Sequence, residues 1–435
     1  MTNSSVRRVV ITGLGVVAPN GIGKQAFWEA CAAGRSGIRP ITQFDASLLP
    51  TQIAGEVPDF DPQALGLSCQ ECHHLDRNTQ FAVAAANLAL ADAALADALT
   101  EGACEQMGVY MGTAMASSKE AETVWLRLTN GGAQPLRSRD DVALSDALLL
   151  IHSPAAAIAI HHQLHGPSAV FSTGCSAGAD AIGQAFWTIQ EGRADRMLAG
   201  GSDAAICYSG LDVFNVIGAL STRNEEPARA SRPYDAGRDG FVMAEGAGVL
   251  LLEDRDLALA RGAHIYAELI AFASNSNAYH MTALPPDGMP LQQLLRQILA
   301  EADITPEQLD YINSHGSATP ANDAAETAAY KAVFGEQAYR IPISSTKSMI
   351  GHTQGAASAL EAIVTALALD EHLLPPTINQ DEPDPACDLD YISNVARPSQ
   401  AQVALSHSSG FGGVNSALLL AAPEWADRHL LERAQ

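Results

Sequence analysis

Thr173-Gly174-Cys175-Ser176-Ala177-Gly178-Ala179-Asp180 follows a short apolar run, Ser168-Ala169-Val170-Phe171, and opens a stretch of small and apolar residues reaching Ile189. The order reads as strand, tight turn and buried central helix. Cys175 then faces the positive end of a helix macrodipole, beside backbone N–H groups that the helix leaves unpaired. Both features favour a thiolate and a nearby oxyanion. The turn therefore predicts a nucleophile that carries an acyl group, with a depressed pKa. On that reading an alkylating agent finds Cys175 before the other cysteines.

Outward from this turn the chain alternates apolar strands with Ala-rich helices, the pattern of α/β layers. Strands are expected at 9–13, 108–112, 196–201, 248–252, 266–272, 309–312, 404–406 and 415–420. Helices are expected at 81–99, 176–189, 254–261, 291–301 and 355–369. The helix at 355–369 is also built from small residues and also follows a Ser/Thr-containing turn after an apolar run, Ile341-Pro342-Ile343-Ser344-Ser345-Thr346. The repetition suggests a duplicated fold: an N-terminal half, residues 1–256, with Cys175, and a C-terminal half, residues 257–435, with Lys347 and His352. No low-complexity linker separates them, so they should share one core. The tail 425–435 reads as a polar surface or interface helix.

The chain has 435 residues, of which 47% are hydrophobic and 17% charged, enough for a large core and two packed units. It has no apolar run of about 18 residues to span a membrane. Its first eight residues lack the features of a signal peptide, which makes the cytoplasm the default location. Seven cysteines, an odd number in a long chain, argue against a disulfide framework. The net charge of −24, from 25 basic and 49 acidic residues, opposes nucleic-acid binding. It also means that an acidic partner would need a local basic patch.

Three further segments stand beside Cys175: Asn313-Ser314-His315-Gly316-Ser317-Ala318-Thr319-Pro320, Lys347-Ser348-Met349-Ile350-Gly351-His352, and the glycine turn Gly410-Phe411-Gly412-Gly413. Ligands of open α/β sheets gather at strand ends, where these segments fall. A thiolate attacks a thioester, and neutral imidazoles donate to a carbonyl or enolate oxygen. A lysine five residues before a histidine can orient it or hold it neutral. Cys69-Gln70-Glu71-Cys72-His73-His74 has the haem-attachment spacing, but it has no second ligand pair and reads as an ordinary surface segment. His161, His162 and His165 read as surface or interface residues. His280 and His407 read as loop residues near the pocket with structural hydrogen bonds. Gly13-Leu14-Gly15 lacks the rest of a dinucleotide fingerprint.

On these segments the chain resembles the β-ketoacyl-(acyl carrier protein) synthases of the thiolase superfamily. The likeness extends from Val9-Val10-Ile11-Thr12-Gly13-Leu14-Gly15 to Phe411-Gly412-Gly413-Val414-Asn415. It includes Ala219-Leu220-Ser221-Thr222-Arg223-Asn224 and Arg238-Asp239-Gly240-Phe241-Val242. Ser172-Thr173-Gly174-Cys175, Asn275 to Thr282, Glu326 to Lys331 and the small Ser409 before the glycine turn are most similar to the ketosynthase-α subunit of type II polyketide synthases.

The resemblance implies a thiolase-like α-β-α-β-α fold of two pseudo-duplicated halves and an acyltransferase with no cofactor and no metal. Cys175 would take the growing chain. His315 and His352 would stabilise the enolate formed as malonyl-acyl carrier protein loses CO₂, and the enolate would attack the acyl-Cys175 carbonyl. Backbone N–H groups of Cys175 and Phe411 would form the oxyanion hole, with the Phe411 side chain as gate. Lys347 would position His352. Ser317 and Thr319 would bind pantetheine, and Asp323, Glu326 and Glu361 would support the network around Lys347.

The implied partners are an acyl carrier protein and a chain-length-factor homologue in a heterodimer; the fatty-acid alternative is a homodimer. Other readings are a non-catalytic pairing subunit, against which the retained Cys175, His315, Lys347 and His352 argue, and a cysteine hydrolase. Three features depart from the family pattern. The family's His-Gly-Thr-x-Thr reads His315-Gly316-Ser317-Ala318-Thr319, which keeps both hydroxyls. Gln354 is unusual in Thr353-Gln354-Gly355-Ala356, and the family's basic docking positions fall on Cys72-His73-His74 and Gly218. Arg223, Arg229, Arg232 and Arg238 remain as sources of local positive charge, while residues 115–145 match poorly.

Overall fold

The computed structural model describes residues 6–96, 98–135 and 150–433. The first apolar segment forms β1 (Val9–Ala18), buried along its whole length. The N-terminal half adds β2 (Met107–Gly112), β3 (Ser168–Phe171), β4 (Arg196–Asp203) and β5 (Gly246–Asp254). The C-terminal half contributes β6 (Ala267–Ser276), β7 (Tyr311–Asn313), β8 (Ile343–Ser344), β9 (Val403–Ser409) and β10 (Val414–Ala421).

The strands lie in the order β8-β7-β9-β10-β6-β1-β5-β4-β2-β3. From the central seam outward, one half runs β1-β5-β4-β2-β3 and the other β6-β10-β9-β7-β8. Adding five to each number of the first gives the second. Strand directions repeat as well. The outer three strands of each half are parallel, and the inner two are antiparallel to their neighbours. The halves meet where Val9–Ile11 pairs antiparallel with Ala267–Leu269.

Six helices complete the layers: α1 (Arg77–Asp92), α2 (Ser153–His162), α3 (Ala177–Gln190), α4 (Met289–Ala302), α5 (Pro320–Phe334) and α6 (Ala357–Asp370). One apolar cluster joins α1 and α2 to the first half of the sheet, and another joins α4 and α5 to the second. Between the two halves lie α3 and α6, packed on strands of both. The result is the α-β-α-β-α arrangement. A helix between two sheets has no face for water, which is why α3 and α6 are apolar or small nearly all round. Their approach is close: a Cβ on Gly178 would lie 2.9 Å from the Ala359 Cβ.

Some boundaries differ from expectation. The helix expected at 81–99 is α1, which starts earlier because the Asp76 side chain caps it at Thr79 N. It stops at Asp92, whose carboxylate accepts from Lys24 Nζ (2.6 Å) and from the Leu14 N–H (2.9 Å). The Cys69 run forms its own short helix, Cys69–His74, closed by reciprocal bonds between Ser68 and Glu71. Within 115–145 a helix spans Ser118–Thr129, and 136–149 lie outside the described residues. The tail helix, Pro423–Arg433, is not merely a surface element, because Trp425 and Ala426 are buried in the C-terminal core. Among the described residues no helix is long and apolar enough to cross a membrane.

Candidate active site

After β3 the backbone turns at Gly174 with φ +65°, a left-handed conformation that suits glycine. A single 3₁₀ turn, Gly174–Ser176, then delivers Cys175 to the start of α3. Thr173 Oγ1 donates to Asp180 Oδ2 on the first turn of α3 (2.5 Å), and Ser176 Oγ donates to the Val414 carbonyl (3.0 Å). The nucleophile turn of one half is thereby tied to the β9–β10 hairpin of the other. That hairpin brings Gly410 so near that a Cβ there would sit 3.0 Å from Cys175 N. The backbone N–H groups of Phe411 and Cys175 both act on the thiol.

The matching turn of the C-terminal half, Gln354–Ala356, opens α6. Just before it, His352 Nε2 lies 3.1 Å from Cys175 Sγ. Its Nδ1 accepts the Gln354 backbone N–H (3.1 Å), so the neutral ring carries its proton on Nε2 and points it at the sulfur. His315, on the loop after β7, packs edge-on against His352 with ring centroids 5.5 Å apart. Its Nδ1 is 3.3 Å from Ser408 Oγ, a hydroxyl that also donates to the Cys175 carbonyl (3.1 Å).

Lys347 is 1% exposed. Its Nζ donates to the His315 carbonyl (2.8 Å) and pairs closely with Glu361 of α6. Glu326 does not touch Lys347 but accepts the backbone N–H groups of His315 (2.9 Å) and Gly316 (3.0 Å). Asp323 lies one step further out, accepting from Tyr234 N (2.8 Å); the Tyr234 hydroxyl donates to Ser314 Oγ (2.6 Å). The three acids therefore form a chain of supports. One holds Lys347, one holds the His315 loop, and one holds the tyrosine behind it.

Burial, then the neighbouring Lys347 cation, pushes both His315 and His352 well below the ordinary imidazole range. Both rings are neutral donors or acceptors at neutral pH. The expected depression of Cys175 is not found. Burial pushes its thiol up to about 11, and Lys347 and the Phe411 N–H only partly oppose this. The dipole argument fails because it leaves out desolvation of a thiol that is 8% exposed. Burial also lifts Glu361 to about 7, against the pull of Lys347, and lifts Asp323 to about 7 with the help of nearby Glu326.

Cys175, His315 and His352 line one cavity of about 290 Å³, together with Phe214, Phe241 and Phe411. Ser317 and Thr319 line the same space, their hydroxyls 3.0 Å apart. Phe411 is 37% exposed and stacks on Phe214 at 6.2 Å; Ser409 lies beside it in the wall. Cys175, His315, His352, Phe411, Ser317 and Thr319 thus surround one space, while Lys347 lies behind it, bonded to the His315 carbonyl and to Glu361.

Other expectations change. The four arginines are not a free basic patch. Arg229 and Arg232 meet Asp381, and Arg232 also meets Asp235 (2.9 Å). Arg238 pairs with Asp384 (2.5 Å) near Asp323, and Arg223 is near Asp239 (3.8 Å). His407 is not in a loop but within β9, buried, with Nε2 2.8 Å from Glu326. His280 is exposed and accepts the N–H groups of Thr282 and Ala283. His161 Nδ1 bonds Glu71 (2.5 Å). Among the described residues no group of three or more metal-ligating side chains forms.

Ser408 and Asp203 went unsuspected. Asp203 ends β4 and accepts from Thr113 Oγ1, Ala114 N, Met115 N and Gly355 N, which ties β2 to the second turn. A carboxylate closing the buried run Gly200-Gly201-Ser202 was the available signal. Nothing in the sequence around Ser408 marks it.

Two family models match the chain, the beta-ketoacyl synthase N-terminal domain over residues 6–258 and the C-terminal domain over 266–381. The chain is 44% identical to the tetracenomycin polyketide synthase ketoacyl synthase alpha subunit of Streptomyces glaucescens, covering 98% of this chain and 99% of that one. It is 42% identical to the 3-oxoacyl-[acyl-carrier-protein] synthase 2 of Coxiella burnetii, covering 95% and 98%. A solved type II polyketide synthase acyl-carrier protein in complex with its ketosynthase bound to the hexaketide contains a chain that matches at TM-score 0.89 and 39% identity, covering 96% of this chain and all of that one. A chain of the ishigamide ketosynthase/chain length factor matches at TM-score 0.88 and 35% identity, covering 96% and 100%. From the sulfur–imidazole site to these near-full-length likenesses, the findings agree that the chain belongs to the β-ketoacyl synthase family, acyltransferases that form carbon–carbon bonds.

Proposed function

We propose that this protein extends a polyketide chain by decarboxylative Claisen condensation, with Cys175, His315, His352 and Lys347 as the working group. The observation that carries the reading is the neutral His352 ring, its Nε2 3.1 Å from Cys175 Sγ in a cavity shared with His315. The Cys175 sulfur attacks the thioester of an acyl-carrier protein, the carrier's thiol leaves with the proton, and the acyl group stays on sulfur. Malonyl-carrier protein then loses CO₂, and its electron pair becomes an enolate. The proton that His352 holds on Nε2 stabilises the developing oxygen charge without being transferred, and the neutral His315 ring lies against the same space. The enolate carbon attacks the acyl carbonyl, whose oxygen sits between the N–H groups of Cys175 and Phe411, and the Cys175 thiolate is expelled.

Two histidines and a buried lysine suit decarboxylative condensation better than a cysteine hydrolase, which needs one histidine base. Ser317 and Thr319 suit the amide-rich pantetheine arm, and the Phe411 ring suits a gate. The fold divides into functional halves at 1–256 and 257–435.

The polyketide assignment rests on the polyketide relative and on the two solved ketosynthases. From these the partners are an acyl carrier protein and a chain-length-factor homologue, and the cytoplasm is the place of action. The 42% identity to a 3-oxoacyl synthase favours a second reading, a fatty-acid elongating homodimer. Incubating the purified complex with malonyl-carrier protein and weighing carrier-bound products tests both. Polyketone masses from a heterodimer are expected. A product stopped at one 3-oxoacyl extension from a homodimer favours the second reading, and malonyl-dependent products from Cys175→Ala refute the nucleophile.

A further inference from the structure

Gln354 is 3% exposed and lines the cavity above Cys175. Its backbone N–H is spent on His352 Nδ1. Its side-chain Nε2 has no hydrogen-bond partner among the described residues. A buried amide donor without an acceptor is disfavoured, because it has given up its bonds to water and gained none. The backbone adds to this. Gln354 opens the second 3₁₀ turn with φ +52°, the place that Gly174 takes with φ +65° in the first. A side chain in left-handed conformation is strained, and such strain clusters at functional sites. Glycine would satisfy the turn. A glutamine there adds an unpartnered amide to a lining that also holds Phe214, Phe241 and Phe411.

We propose that the Gln354 carboxamide is a specificity subsite that donates a hydrogen bond to a carbonyl oxygen of the acyl chain, so that the enzyme favours chains bearing a keto group near the thioester over saturated chains. This rests on the reading of Cys175 as the acyl carrier and goes beyond it by assigning what distinguishes one chain from another. A keto oxygen brought against the amide gives a partner to a buried donor that has none among the described residues, whereas a methylene at the same place leaves it unpaired. The Gln354 backbone is held by the same bond that fixes the His352 tautomer, two residues from the catalytic ring.

The test uses the purified complex with N-acetylcysteamine thioesters of 3-oxooctanoic and octanoic acids, and intact-mass measurement of acylation at Cys175. The ratio of 3-oxo to saturated acylation rates should fall about tenfold in Gln354→Met, the loss of one hydrogen bond to a matched oxygen. It should fall further in Gln354→Glu, whose carboxylate repels the carbonyl oxygen. Iodoacetamide rates at Cys175 report whether each variant keeps the thiol environment. Equal loss for both thioesters, or an unchanged ratio, overturns the proposal. Absence of acyl label on Cys175 in the unaltered complex overturns the acyl-carrier reading itself, and the subsite with it.

Discussion

Alkylation of Cys175 across pH separates two physical accounts of the same sulfur. The position at a helix start argues for a thiolate, and burial argues for a thiol. With the thiol pushed up to about 11 from an ordinary 9.0, the thiolate population at neutral pH falls about a hundredfold, about 2.7 kcal/mol. At pH 7.5 the ionised fraction is then about 3 in 10,000, against about 3 in 100 for an ordinary thiol. Iodoacetamide modification, followed by mass spectrometry of the Cys175 peptide, should rise close to tenfold per pH unit from 6.5 to 10 without levelling. Cys69, exposed on its short helix, should react first. Lys347→Met removes a cation that pulls the thiol down and should slow the reaction at each pH. A plateau below pH 8 would refute the burial account and restore the dipole, or would reveal a standing thiolate–imidazolium pair. A buried thiol that ionises only against a bound thioester is protected from adventitious oxidation between turnovers.

Gly178→Ala should lower stability by about 1–3 kcal/mol in urea and slow condensation, because its methyl would meet the Ala359 Cβ at 2.9 Å and neither can rotate away; an unchanged midpoint would contradict the close seam. Lys347→Met alone should cost about 1–3 kcal/mol by leaving the buried Glu361 carboxyl and the His315 carbonyl without their partner, while Lys347→Met with Glu361→Leu should recover part of that; a double variant no more stable than the single would show that the pair is not the cause. Burial, then His161, lowers His162 to about 4. Its folded pKa lies below the unfolded 6.5, so the stability it contributes is present above pH 6.5 and is lost as pH falls toward 4. His162→Gln should therefore flatten that acid limb in denaturation midpoints taken from pH 7 to 4, and an identical slope would place the acid sensitivity elsewhere.

Much of the frame could be read from local pattern. Strand, turn and small-residue helix around Cys175 were legible because each rests on neighbours in sequence, and the second small-residue helix exposed the duplication. Pairing was not legible. Arg229, Arg232 and Arg238 look free in sequence and meet carboxylates up to about 150 positions away, such as Asp381 and Asp384. His407 stands next to a glycine turn and resembles a loop residue until β9 is seen to run through it. Ser408 matters because β9 passes the Cys175 carbonyl, a contact across 233 positions. The thiol's ionisation was misjudged for the same reason. A dipole is a local property of a helix, but desolvation is set by every layer packed around it.

The repeated strand order has a consequence for inheritance. One repeat supplies the sulfur and the other supplies the rings, so neither repeat holds the reaction alone. A chain severed between Asp254 and Ala267 would leave two pieces, each owning half of a reagent. Any hybrid assembled from two parents must take α3 and α6 from the same one, since the fit of Gly178 against Ala359 is where the two lineages agree on where a carbon–carbon bond is made.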